Sequence, residues 1–216
     1  MYRSKRLSLF PIAYLLIVWA GPFSTSCPAR TPDQSARLQV SVFNDARIDS
    51  PTLAAAEARA SAIFSQSGIE VDWLVCGPAN PADFSSSTSP CSALAWPTHL
   101  SVRLRPQALT VASDIFGEAF VDPHGKGVYS NVYYQNLVLS SNHPQLSNAD
   151  LLGCVLAHEL GHLLLGTNSH SPSGLMQSRW DASTLQSAAR SVLLFTPAQS
   201  ATLRSRLSVA RAVAIL

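Results

Sequence analysis

The sequence predicts one folded domain of the α/β or α+β class, which we place at residues 27–216. Several segments alternate apolar and polar residues, as half-buried strands do, and stretches with helical spacing lie between and after them. The 216 residues are enough for one sizeable core, and 47% of them are hydrophobic whereas 13% are charged.

The first half of the domain is predicted to contain five strands and one helix. "ARLQVSVFNDA" from Ala36 and "IEVDWLVC" from Ile69 alternate as strands do. Between them, "SPTLAAAEARASAIFSQSG" has a proline near a helix start and Gly68 at its end. "HLSVRLRP" predicts the third strand, and "GEAFV" and "GVYSNVYY" flank the turn "DPHGKG" as two more.

The second half is predicted to be helical. Ser147, with Asp150 three residues later, has the pattern of a capping box in which Asp replaces the usual Glu. The helix that begins there should run to Gly166, where glycine favours a helix end. A coil and two further helical patterns follow, and the last begins at Thr196 as N-cap with a proline next to it.

The N-terminus has the pattern of an export signal, which we place at residues 1–26. Basic residues from Arg3 to Arg6 precede an apolar run, Leu7 to Ala20, and small residues follow it. A retained membrane anchor is the alternative, but the run is short and contains Pro11. Lipidation at Cys27 is a third possibility. We therefore expect a secreted or periplasmic protein with no stable membrane span after processing.

The four cysteines suit an oxidising compartment. Cys76 and Cys91 bracket a Pro/Ser-rich loop that a disulfide would close, and two unpaired thiols are the alternative. Cys154 lies one helical turn before His158 and could in principle reach a metal there. A buried core cysteine is the preferred interpretation, because "LLGCVLA" is apolar.

Composition argues against two functional classes. The net charge is +2, and no block of Lys and Arg occurs after the first six residues, so nothing favours a nucleic-acid partner. No CxxC motif occurs, which argues against a redox protein.

The sequence "HELGH" predicts a metal site that performs chemistry. His158 and His162 are four residues apart, so on a helix both rings project from one face and can share a zinc ion. Glu159 points elsewhere on the helix, where it can reach a metal-bound water as a general base. The alternative is a helix with histidines on a solvated face, but burying these polar side chains in so apolar a helix would be costly without partners.

The third zinc ligand can be narrowed by elimination. No glutamate follows Glu159, His170 is the only later histidine, and Asp181 is the only later carboxylate. His170 is therefore the first choice and Asp181 the second. Gly161, inside the motif, leaves space where another backbone segment could approach the helix.

These residues resemble the metzincin clan of zinc endopeptidases: the HELGH helix that ends in glycine, the third histidine and the later "SGLM". The resemblance implies an α+β fold: a mixed twisted sheet with two main helices in the N-terminal part, an active-site helix carrying HExxH and a small helical C-terminal part. It also implies that Met176 forms the turn beneath the metal, although an ordinary core methionine is the alternative. The substrate would lie along the strand formed by Gly117, Glu118, Ala119 and Phe120.

One departure from the family pattern concerns the third histidine. The usual sequence is HExxHxxGxxH, whereas here the glycine comes one residue late and His170 two residues late. The expected function is an exported endopeptidase that binds one zinc ion per chain and hydrolyses peptide or protein substrates, with Glu159 as base. The alternative is a non-catalytic, zinc-stabilised binding module.

Overall fold

A computed structural model describes residues 36–77, 89–107, 115–140 and 145–214. The chain divides between Gln34 and Ser35 into two compact units, and every described residue belongs to the second unit. The predicted signal peptide and Cys27 lie outside the described residues.

The described chain contains five strands and five α-helices. The strands are β1 (Ala36–Asn44), β2 (Ile69–Cys76), β3 (His99–Arg105), β4 (Gly117–Phe120) and β5 (Tyr129–Tyr133). The helices are α1 (Ser50–Gln66), α2 (Tyr134–Ser140), α3 (Asn148–Leu165), α4 (Ala182–Ala189) and α5 (Pro197–Ala214), and a short 3-10 turn spans Pro90–Ser92. No helix in these ranges is long and apolar enough to cross a membrane.

The strands form one mixed sheet in the order β2-β1-β3-β5-β4. β1, β2, β3 and β5 are parallel, whereas β4 runs antiparallel to β5. β4 therefore occupies an edge of the sheet, with one side of its backbone unpaired by any described strand. The mixed sheet confirms the predicted α+β class.

Two long helices cover one face of this sheet. Trp73 on β2 donates its ring N–H to Ser61 on α1 at 2.8 Å, and Gly117 on β4 lies against α3. α1 and α3 also pack on each other at Gly153, where a Cβ atom would come within 2.6 Å of the Ala56 carbonyl oxygen. The core between these layers is formed by alternate strand residues such as Val40 and by apolar residues of both helices.

The ends of α3 follow the predicted pattern. The Ser147 hydroxyl accepts the Asp150 N–H at 3.0 Å, and Gly166 ends the helix with φ 63° and ψ 36°, the left-handed conformation that glycine favours. α5 begins as predicted, because Thr196 and Gln199 each accept the backbone N–H of the other. The caps at Ser147 and Gly166 determine where α3, the histidine-bearing helix, begins and ends.

The cysteines follow the preferred interpretation where the structure describes them. Cys76 and Cys91 form a disulfide with their Cα atoms 6.1 Å apart. Cys154 is a free, fully buried thiol that takes no part in the histidine cluster. The short helix α2 has no counterpart in the sequence prediction.

Candidate metal and catalytic site

Two imidazole rings meet on the buried side of α3. His158 and His162 are only 8% and 4% exposed, and their Nε2 atoms lie 3.1 Å apart. The i, i+4 spacing places the rings one turn apart on one helix face. Burial lowers the pKa of His158 to about 3 and also lowers the pKa of His162, so both rings are neutral.

Backbone carbonyls determine which nitrogen of each ring carries the proton. His158 Nδ1 lies 2.8 Å from the Leu175 oxygen, and His162 Nδ1 lies 2.8 Å from the Thr167 oxygen. A carbonyl oxygen can only accept, so each Nδ1 is the donor and each Nε2 of these neutral rings has a lone pair. Two lone pairs that face each other at 3.1 Å repel, and a shared cation is the partner that satisfies both.

His170 joins this pair despite its displaced position in the sequence. One ring nitrogen from each of His158, His162 and His170 lies within 4.8 Å of the others. The His170 ring centroid is 5.5 Å from that of His158 and 4.9 Å from that of His162. His170 itself is exposed, so the cluster opens to solvent on that side.

Asp181, the second choice as third ligand, is used elsewhere. Its carboxylate caps α4 by accepting the Thr184 N–H at 2.9 Å, and it also accepts the Ser183 hydroxyl. It does not belong to the histidine cluster. Three imidazoles around an open position fit a zinc ion, whose catalytic sites commonly have three protein ligands.

Glu159 lies in the same cleft but outside the cluster of nitrogens. It is 5% exposed, and a Cβ atom on Gly117 would come 2.5 Å from its carboxylate. Burial, followed by the charge of Glu118, raises the pKa of Glu159 to about 8. A nearby divalent cation would act in the opposite direction and favour the ionised carboxylate.

Met176 packs beneath the histidine-bearing helix. It is fully buried, and its sulfur would lie 2.8 Å from a Cβ atom on Gly161. The Phe195 ring would be equally close to that atom. The expectation that Gly161 admits a backbone segment was therefore wrong, because side chains of Met176 and Phe195 occupy the space instead.

A cleft of about 740 Å³ joins α3, β4 and the segment that follows Met176. Gly117, Glu118 and Ala119 line it together with the three histidines and Glu159. Phe120, also predicted to contact substrate, does not line this cleft. It is 44% exposed, and its ring packs on Tyr129 with the centroids 5.5 Å apart.

The sequence prediction missed several residues that line the cleft, among them Phe116, Tyr133, Arg179 and Trp180. The Trp180 ring lies edge-on to His158 at 5.8 Å and approaches Phe116 at 6.4 Å. The only signal for Trp180 was its position shortly after Met176. Tyr133 ends a strand and Phe116 precedes one, and neither position has a pattern that predicts a site.

No protein-family model and no curated protein matches this chain. Solved structures of similar fold include the following three. An archaemetzincin from Methanopyrus kandleri has a TM-score of 0.55 and 19% identity over 82% of this chain and 99% of that one. A zinc-dependent peptidase from Methanocorpusculum labreanum has a TM-score of 0.51 and 15% identity, over 76% of this chain and 99% of that one.

The third similar structure is metalloproteinase-II from Bacteroides fragilis, with a TM-score of 0.51 and 14% identity. The match covers 82% of this chain and 54% of that protein. At these identities the similarity establishes the fold. The chain thus has the fold of zinc-dependent peptidases, and its own residues must support any statement about activity.

Proposed function

We propose that this chain is an exported, zinc-dependent endopeptidase of the metzincin-like type. The observation that carries the proposal is the cluster of His158, His162 and His170, with their nitrogens within 4.8 Å and two lone pairs directed at each other. The peptidase fold and the adjoining cleft agree with it.

The three histidines would hold one zinc ion per chain. The Leu175 and Thr167 carbonyls keep the His158 and His162 rings in the orientation and tautomer that a metal requires, a role that outer hydrogen bonds commonly have. When bound, zinc lowers the pKa of a bound water to about 7 and polarises the carbonyl of the scissile bond. Met176 supports the helix from below.

Glu159 would act as the general base and then as the general acid. Its carboxylate lies in the cleft beside the histidines, held against Gly117 where no side chain intervenes. From there it can take a proton from the attacking water and deliver it to the leaving amine. A purely structural zinc module would gain nothing from a buried carboxylate, so its presence favours the catalytic proposal over the binding module.

Substrate would lie extended along β4. The outer edge of this strand has backbone groups that no described strand pairs, and a peptide can add to such an edge as a further strand. Gly117 and Ala119 bring this edge into the cleft next to Glu159. Edge pairing needs no free chain terminus, which is why we propose cleavage at internal bonds.

Export is proposed on the N-terminal sequence pattern, and the Cys76–Cys91 disulfide supports it because such bonds persist in oxidising compartments. Fractionation of expressing cells, followed by N-terminal sequencing of the mature protein, tests it. Cleavage near residue 26 is expected, and full-length protein retained in the cytoplasm would contradict export.

The test of the activity is Glu159→Gln in the zinc-loaded full chain, with Glu57→Gln on α1 as a control. Glu159→Gln should retain one zinc per chain by metal analysis and lose peptidase turnover by about 10²- to 10⁴-fold. The control should retain both. A Glu159→Gln enzyme with full activity would refute the role of Glu159, and a wild type that binds zinc but cleaves no protein or peptide would favour the binding module.

A further inference from the structure

Glu118 is the acidic side chain on the exposed rim of the cleft. It lies on edge strand β4, between Gly117 and Ala119, and all three line the cleft. It is exposed, whereas Glu159 behind it is buried. The two carboxylates are near enough for the charge of Glu118 to raise the pKa of Glu159.

One neighbour on β5, Tyr133, holds the Glu118 carboxylate in place. Asn131 lies directly opposite Glu118 in the sheet, and Tyr133 lies on the diagonal. The Tyr133 hydroxyl donates to Glu118 Oε2 at 3.2 Å. Tyr133 is only 5% exposed, so a buried residue orients the exposed carboxylate. Burial, with the charge of Glu118 next, raises the pKa of Tyr133, so its hydroxyl remains a donor.

No cation neutralises this carboxylate within the described parts of the chain. The ion pairs shorter than 4.0 Å there join Arg37 to Glu70 and Arg103 to Asp45. Arg105 lies opposite Tyr133, one strand further from the edge, and acts on the Tyr133 hydroxyl. Arg179 lines the cleft from the segment that follows Met176 but makes no such pair with Glu118.

An oriented carboxylate without a cationic partner, at the rim of a substrate cleft, favours a substrate that brings the positive charge. A hydrogen bond between ionised partners is stronger than one between neutral partners. A bound substrate that cannot form such a bond leaves the Glu118 carboxylate partly desolvated and without a partner. A neutral substrate would desolvate the carboxylate without forming a bond that offsets the cost. A cationic substrate would offset the cost by forming a hydrogen bond between ionised partners.

From these observations we propose that Glu118, oriented by Tyr133, selects substrates that place an ammonium or guanidinium group beside the scissile bond. The inference rests on the proposed peptidase function. The cation has two possible sources, a lysine or arginine side chain and the free amino terminus of a short peptide. Tyr133 is a positioning residue that acts through Glu118.

The experiment compares kcat/KM for matched quenched peptides with the zinc-loaded full chain. In one arm, lysine replaces norleucine at each position in turn in peptides blocked at both ends. In the other arm, one neutral peptide is used with a free and with an acetylated amino terminus. The wild type should prefer the cation by about tenfold to a hundredfold in one arm, which identifies its source.

Glu118→Gln should reduce that preference ratio to near one, and Tyr133→Phe should reduce it partially because the carboxylate remains but loses its orienting donor. Asp72→Asn, an equal charge change on the opposite edge strand, should leave the ratio intact. Thermal unfolding of each variant checks that it is folded.

The outcomes separate the two proposals. A wild type that cleaves the peptides without preferring a cation in either arm, or a Glu118→Gln variant that keeps the preference, overturns this inference and leaves the peptidase function standing. A wild type that cleaves no peptide of the set overturns the peptidase function and this inference with it.

Discussion

At the residue scale, the site depends on two glycines whose lack of a side chain leaves room for neighbouring groups. Gly117 and Gly161 each lie where a side chain would collide with a neighbour that the site uses, Glu159 in one case and Met176 in the other. The first keeps the proposed base next to the edge strand. The second lets sulfur and an aromatic ring pack directly under the helix that carries the histidines.

Gly161→Ala should therefore destabilise the protein although alanine favours helices. The added Cβ would lie 2.8 Å from both the Met176 sulfur and the Phe195 ring, and overpacking typically costs about 1–3 kcal/mol. Helix propensity would recover up to about 1 kcal/mol. Because a 2.8 Å approach places the overpacking cost near the upper end of its range, we expect a net loss of about 2 kcal/mol in the free energy of unfolding, measured by urea denaturation.

The control is Gly77→Ala, where an added Cβ meets nothing within 4 Å. It should change the free energy of unfolding by less than about 0.5 kcal/mol. A Gly161→Ala protein as stable as this control would show that the packing beneath α3 is not tight.

His170 and Asp181 can be distinguished by zinc affinity. His170→Ala removes a nitrogen of the cluster and should weaken zinc binding by more than a hundredfold, because even outer-shell changes commonly cost about 10- to 100-fold. Asp181→Ala removes only the cap of α4 and should leave zinc affinity unchanged. Competition with a chromophoric chelator measures both, and the reverse result would make Asp181 the third ligand.

At the scale of elements, helix ends are set by single side chains. The α1 cap is Asp49, whose carboxylate accepts the Thr52 N–H at 2.9 Å. That backbone hydrogen bond is the main reason why the pKa of Asp49 lies below its ordinary value of 3.8. A lowered folded-state pKa means that the ionised cap contributes stability above the unfolded value and loses it as pH falls through the folded value.

Asp49→Asn should accordingly flatten the acid side of the stability profile. Asparagine still accepts the Thr52 N–H but does not titrate across this range. Between about pH 5 and pH 2, the wild type should lose more stability than the variant. Chemical denaturation at a series of pH values measures this, with Asp49→Ala as the uncapped control. Parallel profiles for wild type and Asp49→Asn would contradict the assignment.

The elements that could be predicted are those whose signal is local. The first two strands followed from alternation, the last two from the turn that they flank, and the ends of α3 from Ser147 and Gly166. Helix α2 was missed because "YQNLVLS" continues directly from a strand and has no start signal of its own. The place of β4 at the sheet edge was expected from resemblance alone, since strand order depends on contacts between distant segments.

The same distinction applies to the site. His158, Glu159 and His162 could be identified because one helix carries all three. His170 could be predicted by elimination, because no other histidine and no glutamate follows the HELGH motif. Trp180 and Tyr133 were not predictable, because they reach the cleft through the packing of separate elements, and no spacing in the sequence encodes that packing.

At the scale of the whole molecule, the Cys76–Cys91 bond ties the end of an edge strand to the connection that leads to β3. It closes a loop with a sequence separation of 15, and a loop of that size predicts a contribution of about 3 kcal/mol through the unfolded state. The Cys76→Ser/Cys91→Ser double variant should lose about that much in the free energy of unfolding.

Reductant provides the control for this prediction. Dithiothreitol should lower the denaturation midpoint of the wild type to that of the double variant and leave the double variant unchanged. A wild type that is insensitive to complete reduction, verified by thiol counting, would show that the loop adds little to stability.

The two ring hydrogen bonds have a further consequence for how an ion is captured. They end on Thr167 and Leu175, which lie on either side of His170 in the chain. The two hydrogen bonds thus fix both ends of the segment that carries His170. The segment loses its conformational entropy when the protein folds, before any metal binds. The His170 ring nitrogen is therefore present at a high effective concentration beside the nitrogens of His158 and His162. A zinc ion that left the proposed site could therefore be replaced without refolding of the protein around it.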